Sequence, residues 1–386
     1  MPVCRLVGFA LAALLFFGVR TECRAQTTVV SGAPPIRLAI GFGVDTNANP
    51  AREILALWRN YLQETDGPRA NAFWARAEQA MYPDVDLLRT FVYQGFTNFT
   101  LIHLGPSPGE PGVYELRTFV GRADSATRDV YPLAVYAVYA VREGGRWVLS
   151  NALVHRTRAW YRYRVRHIAY AVSSPALMDT LRATRTATYM DSVGTAFGVT
   201  VPEISYYAAE SLSGIYAALG LDFFPLATDT AGGRALVSQR MVLVGGTTNT
   251  ESNRHELAHV VLASLSTPRT HRLLAEGLAT WIGGSAGLPY TALLPGLAAW
   301  LSAHPDATLL GILTNPPRRE GTLDVGYNVL AVICALAHER GGVAAVRAIM
   351  DGGPAPEDVV RTIARVFGLT PAQVDELWRG RVREGR

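Results

Sequence analysis

Residues 249–262 read NTESNRHELAHVVL and carry the order His-Glu-x-x-His at His255, Glu256 and His259. Thr248 and Glu251 stand at the T-x-x-E spacing of a capping box, which predicts a helix beginning shortly before His255. Leu257, Val261 and Leu265, with Val260, supply an apolar face for that helix. His255 and His259 are four residues apart, so on a helix both rings point the same way. Two imidazoles on one face can grip one zinc ion. Glu256, next to the first histidine, reaches water on the metal without binding the metal itself. With eight histidines in the chain, this pentapeptide arises by chance on the order of once in a hundred such sequences. A tetrahedral catalytic zinc therefore needs a third protein ligand elsewhere.

Three positions compete for that role. A histidine six residues after His259 would extend the motif, but Leu265 stands there. His271 lies twelve residues on, near Pro268, and reads as a loop histidine. Glu276 lies seventeen residues on, in HRLLAEGLATWIGG (271–284), a second helical pattern. Gly277 beside it lets another backbone come close.

HELAHVVL followed by LLAEGLATWIGG resembles the gluzincin metallopeptidases, in the peptidase MA-like group related to aminopeptidase N. The resemblance covers residues 165–386. It implies His255, His259 and Glu276 as ligands of one zinc per chain and Glu256 as general base. In DVGYNVLAVICALAHERGG (324–342) it implies Tyr327 as the tyrosine facing the metal. VVRTIARVFGLTPAQVDELWRG (359–380) is similar to the C-terminal helices of that group. The exopeptidase motif G-A-M-E-N of aminopeptidase N is absent from the chain. Tyr290, in GLPYTALL, is a second-choice oxyanion donor with no motif behind it.

The remainder of the chain surrounds this site. A length of 386 residues predicts two domains and a leader. Residues 1–25 carry Arg5, an apolar run from Leu6 to Val19, and Ala25 before Gln26, the pattern of a cleaved signal peptide. That run is shorter than the roughly 20 residues of a spanning helix. No later run reads as a membrane span. Export follows, to the periplasm or the extracellular medium. The chain beyond residue 25 keeps only Cys334, which excludes an internal disulfide and reads as a small core residue.

Residues 26–46, rich in Thr, Gly and Ala, read as a linker or an edge segment. PAREILALWRNYLQET (50–65) is a helix with Ile54, Trp58 and Tyr61/Leu62 on one face, and NAFWARAEQAM is a weaker one. Val- and Tyr-rich runs follow, with Gly144-Gly145 as a two-residue hairpin turn. Helices followed by long antiparallel strands over 47–156 resemble, in pattern, the nuclear-transport-factor-like cone, in which helices pack on a curved sheet. Residues 157–386 form the metallopeptidase-like domain. The fold class is α+β: a helix-plus-curved-antiparallel-sheet domain, then a mostly helical zincin-like domain with a small sheet.

Every one of the 36 basic residues is arginine, and the net charge is +4. Arg156, Arg158, Arg162, Arg164 and Arg166 fall at even positions, which in one strand would share a face. That face reads as solvated rather than as a nucleic-acid surface. RALVSQRMVLVGG (234–246) reads as a single strand whose edge can pair with an extended peptide. The expected function is an exported zinc metallopeptidase acting on peptides or proteins. The alternative is a catalytically inactive zinc-containing binding or scaffold protein on the same domain. Oligomeric state and the choice between endo- and exopeptidase stay open.

Overall fold

A computed structural model describes residues 36–64, 67–83, 85–88, 98–123, 126–127, 129–225 and 231–385. The signal-peptide reading of residues 1–25 lies outside them. The chain opens with β1 (Arg37–Ile40) and α1 (Ala51–Gln63). α1 buries Ile54, Leu55, Trp58, Tyr61 and Leu62, the face its spacing predicts. Of the weaker helical stretch at 71–81 only the second half is helical, as α3 (Arg76–Met81); the short α2 (Gly67–Asn71) ends where the stretch begins.

The strands β2 (Asn98–Pro106), β3 (Tyr114–Ala123), β4 (Val130–Glu143) and β5 (Arg146–Asn151) then run as an antiparallel meander. β1 joins β2 in parallel. Register shifts at Leu101/His103 and Val120/Gly121 bend this sheet. Gly144 and Gly145 both have positive φ, 57° and 84°, as a two-residue hairpin turn requires. Trp58, Trp74, Phe99, Leu116 and Tyr136 are buried between helices and sheet.

α4 (Ala152–Arg156) leads into β6 (Tyr161–Val165) and β7 (Ile168–Val172). The arginine row is therefore not one strand: Arg156 closes α4, and only Arg162 and Arg164 sit in β6. Their charges are taken up within the chain. Arg156 pairs with Glu115 and Asp222, Arg164 with Glu203, and Arg166 with Asp191.

α5 (Thr180–Phe197), closed by Gly198 at φ 62°, leads to β8 (Ile204–Ala209), α6 (Leu212–Leu219) and β9 (Leu221–Phe223). β9 returns to the first sheet and pairs with β4. The stretch expected as one strand is a hairpin: β10 (Gly232–Leu236) and β11 (Met241–Gly245), turned through Arg240 at φ 51°. The second sheet has the order β10-β11-β8-β7-β6, which leaves β10 at its edge.

β11 is buried along its whole length because both faces of this sheet are covered. Met241 and Leu243 face the first core, while Val242 and Val244 face the second. The first core thus draws on residues well beyond 156, through α6, β9 and β11.

Helices then dominate: α7 (Arg254–Val261), α8 (Arg272–Gly283), α9 (Tyr290–Ala303), α10 (Leu309–Thr314), α11 (Val325–Met350), α12 (Pro356–Phe367) and α13 (Pro371–Glu384). α11 runs through the second core, burying Val329, Leu330, Val332, Ile333 and Cys334. Burial pushes the Cys334 thiol up to about 12. By length and composition α11 passes as a membrane span, against the reading that no such run follows the leader. Its path is broken at Gly341 and Gly342, whose dihedrals are non-helical. Gly368, left-handed at φ 66°, ends α12, and a Thr370/Gln373 capping box starts α13, which buries Trp378.

Candidate metal centre

The helix bearing the histidines starts at Arg254, later than the capping-box reading places it. Its cap is Asn253, whose side-chain oxygen accepts from the Glu256 amide at 3.2 Å. Thr248 and Glu251 form no box. Glu251 is buried and meets Arg182 at 3.0 Å instead, as part of the short turn 250–252. Leu257, Val260 and Val261 anchor α7 in the core. That leaves His255 and His259 on the opposite, partly open side, with side-chain exposures of 15% and 16%.

α8 crosses beside α7, and two glycines allow the approach. A Cβ on Gly283 would lie 2.4 Å from the His255 amide nitrogen, and one on Gly277 would lie 2.4 Å from the Leu330 side chain of α11. The crossing brings Glu276 to the histidines. Its Oε2 lies 3.2 Å from His255 Nε2 and 3.4 Å from His259 Nε2. The two Nε2 atoms are 3.2 Å apart.

These three separations test the fit of a metal. Ligand atoms about 2.0–2.1 Å from a tetrahedral zinc are about 3.3–3.5 Å from one another. Two imidazole nitrogens and one carboxylate, converging at that spacing, could hold a metal ion, and their type and separation fit zinc. His255 Nδ1 donates to the Gly284 carbonyl at 2.8 Å. That bond fixes the tautomer and leaves Nε2 unprotonated for a metal.

Without the ion the same groups behave as a buried ion pair. Burial would lower the His255 pKa, yet the Glu276 hydrogen bond and the charges of Glu256 and Glu276 raise it to about 9. Burial would raise Glu276, but the two histidines hold its carboxyl far below the usual range.

Glu256 lies under the edge strand β10. A Cβ on Gly233 would be 2.6 Å from Glu256 Cγ and 2.5 Å from Asn253 Nδ2, so only glycine lets the strand lie against this carboxylate. Tyr327 stands in the first turn of α11, capped by Asp324, which accepts from the Tyr327 amide at 3.0 Å. Its ring lies parallel to that of His255 at 6.2 Å between centroids. Burial, and then the Glu276 charge, push its phenol well above the usual value, so it stays a proton donor.

Other sequence candidates are not brought to the centre. His271 caps α8, accepting from the Leu273 amide at 3.2 Å through Nδ1. Tyr290, the second-choice oxyanion donor, has its hydroxyl buried in the neighbourhood of Cys334 and Arg381. Sequence reasoning missed Asn253, Gly233, the Gly284 carbonyl and Arg272, whose Nη2 donates to the Tyr327 hydroxyl at 3.3 Å. Asn253 was findable as a good cap residue just before the helix. Arg272 was findable as the residue one turn before Glu276 on the same face. Nothing local marks the other two.

No protein-family model matches the chain, and no curated protein does. Similar solved structures include an M1 zinc metallopeptidase from Deinococcus radiodurans, at 17% identity and TM-score 0.33, over 75% of this chain and 63% of that one. A variant M1 zinc metallopeptidase from the same organism, bound to a Tyr-Ser-Ala substrate, matches at 18% identity and TM-score 0.34, over 73% and 62%. A two-domain M1 zinc metallopeptidase variant bound to L-tryptophan matches at 16% identity and TM-score 0.34, over 73% and 62%. The chain thus spans less than two thirds of the length of these structures.

Proposed function

We propose that this protein is a zinc metallopeptidase that hydrolyses peptide bonds, with one zinc ion per chain held by His255, His259 and Glu276. The observation that carries this reading is the convergence of the three ligand atoms at 3.2–3.4 Å from one another, with Glu256 on the same helix turn. When bound, zinc supplies Lewis acidity that makes water nucleophilic near neutral pH.

The chain's own groups do the rest. Glu256 takes a proton from the attacking water and passes it to the leaving amine. Tyr327, a neutral phenol, donates to the oxygen on which charge develops. The free edge of β10 offers backbone groups to an extended peptide, and Gly233 brings that edge over Glu256. Asn253 fixes the start of α7 and thereby the position of Glu256. The leader read in residues 1–25 makes the enzyme an exported one.

The test is zinc content per chain together with peptide hydrolysis, for wild type, Glu276→Ala and Glu256→Gln. One zinc in wild type, a large loss in Glu276→Ala, and retained zinc without hydrolysis in Glu256→Gln are the expected outcome. A wild type that takes up no zinc when supplied with it overturns the reading. Zinc-loaded wild type that cleaves no peptide in a broad library leaves a zinc-holding binding protein.

A further inference from the structure

Arg272 is the first residue of α8 and lies one turn before Glu276, on the same helix face. Its side chain is exposed at the rim of the metal centre. One of its N–H groups donates to the Tyr327 hydroxyl at 3.3 Å. Among the described residues no carboxylate lies within the 4.0 Å of an ion pair with it. Many other arginines of this chain are spoken for: Arg156 by Glu115 and Asp222, Arg182 by Asp179 and Glu251. Arg234, on the edge strand, is engaged by the Tyr216 hydroxyl.

A guanidinium has five donors in a planar fork that matches a carboxylate. Tyr327 uses one, and the rest remain available at the rim. The distance is short. The Tyr327 ring, which Arg272 touches, lies 6.2 Å from the ring of the ligand His255. An extended chain advances about 3.3 Å per residue, so a group bound by Arg272 belongs to a residue within the first few from the bond being cut. Glu256, Glu276 and the nearby Asp324 would repel an anionic substrate group there, and Arg272, with Arg234 in its neighbourhood, is an exposed cation placed to receive it.

We propose that Arg272 recognises a carboxylate of the substrate, so that the site prefers peptides carrying one close to the scissile bond. This rests on the zinc-peptidase reading above. The carboxylate has two sources, the chain terminus of a short peptide or an acidic side chain.

The experiment compares three probes on the zinc-loaded protein: N-acetyl-dialanine as the free acid, the same peptide as its amide, and the amide of N-acetyl-alanyl-aspartate. Binding is read by calorimetry on Glu256→Gln, which is expected not to turn over, and kcat/KM is read on wild type. A carboxylate probe is expected to exceed the neutral amide by about ten- to a hundredfold, the usual worth of a hydrogen bond to a charged group. Arg272→Gln, placed in each background, should erase the difference by lowering the acid probe to the level of the amide, and Arg272→Lys should restore part of it. Preference for the free acid identifies the chain terminus, and preference for the aspartyl amide identifies a side chain.

A role for Arg272 in merely orienting Tyr327 would lower all probes together and leave their ratio unchanged. That result overturns the proposal. So does equal binding of all three, no binding of any, or a preference that survives in Arg272→Gln, which would place the carboxylate on the metal. Absence of hydrolysis with the binding preference intact strikes the peptidase reading and leaves the recognition site standing.

Discussion

Gly283 packs directly on the backbone of His255: a Cβ at Gly283 would lie 2.4 Å from the His255 amide nitrogen and from the carbonyl carbon of Arg254. The end of one helix is thereby set against the start of the other, and the next residue's carbonyl, at Gly284, takes the His255 Nδ1 proton.

Gly283→Ala forces the two helices apart. The neighbours are backbone atoms and cannot swing aside. We expect a loss of about 1–3 kcal/mol, as for overpacking in a well-filled interior, together with weaker zinc binding. Denaturant unfolding and zinc titration of the same preparation check both. Unchanged zinc affinity would show that the approach of the helices does not set the ligand geometry.

Gly233→Ala acts on the other side of the site. Its Cβ would meet Glu256 Cγ at 2.6 Å, while the three ligand residues are untouched. Zinc content is expected to stay at one per chain and kcat to fall by about a hundredfold, the common cost of misplacing a catalytic group. Equal loss of metal and activity would contradict the separation of roles.

Tyr327→Phe removes a half-buried donor without emptying space. Loss of one oxyanion donor typically costs about 10²–10³ in kcat. KM should change little, because the interaction is made mainly in the transition state. Steady-state kinetics on one peptide decide this. A changed KM with unchanged kcat would make Tyr327 a binding residue instead.

Glu115 predicts an acid-sensitive first sheet. Burial would raise its carboxyl, but hydrogen bonds from Arg156 and Tyr139 and the charge of Arg117 lower it below its ordinary value. A depressed carboxylate contributes stability that is complete above the unfolded pKa of about 4.3 and is lost as pH falls through the folded value. Glu115→Gln should therefore be less stable than wild type at neutral pH, and the gap should narrow below about pH 4. Melting curves across that range test it. A gap independent of pH would assign the loss to packing.

The candidate metal centre was legible in the sequence to the extent that its residues are set by local spacing. A four-residue spacing aligns His255 with His259, and helical periodicity alone buries Leu257 and Val261. The pattern of α1 was legible for the same reason, as was the Gly144-Gly145 turn, where two positive φ values demand glycine.

Errors came where a local pattern had two continuations. Thr248 and Glu251 had the spacing of a capping box, yet burial of Glu251 against Arg182 won, and Asn253 took the cap. The run from Arg234 to Gly246 is apolar enough for one strand, but a turn at Arg240 folds it into a hairpin.

By itself, then, the sequence determined which residues could hold and use a metal: side-chain identity and helical spacing are properties of the local chain. The tertiary structure decided that Glu276 meets the histidines, that Gly233 brings an edge strand over Glu256, and that Arg272 reaches Tyr327. These are contacts between elements 21, 23 and 55 residues apart in the chain. Close approach of α8 to α7 and α11, and of β10 to α7, across glycines creates them, and no local periodicity encodes how closely two elements will pack.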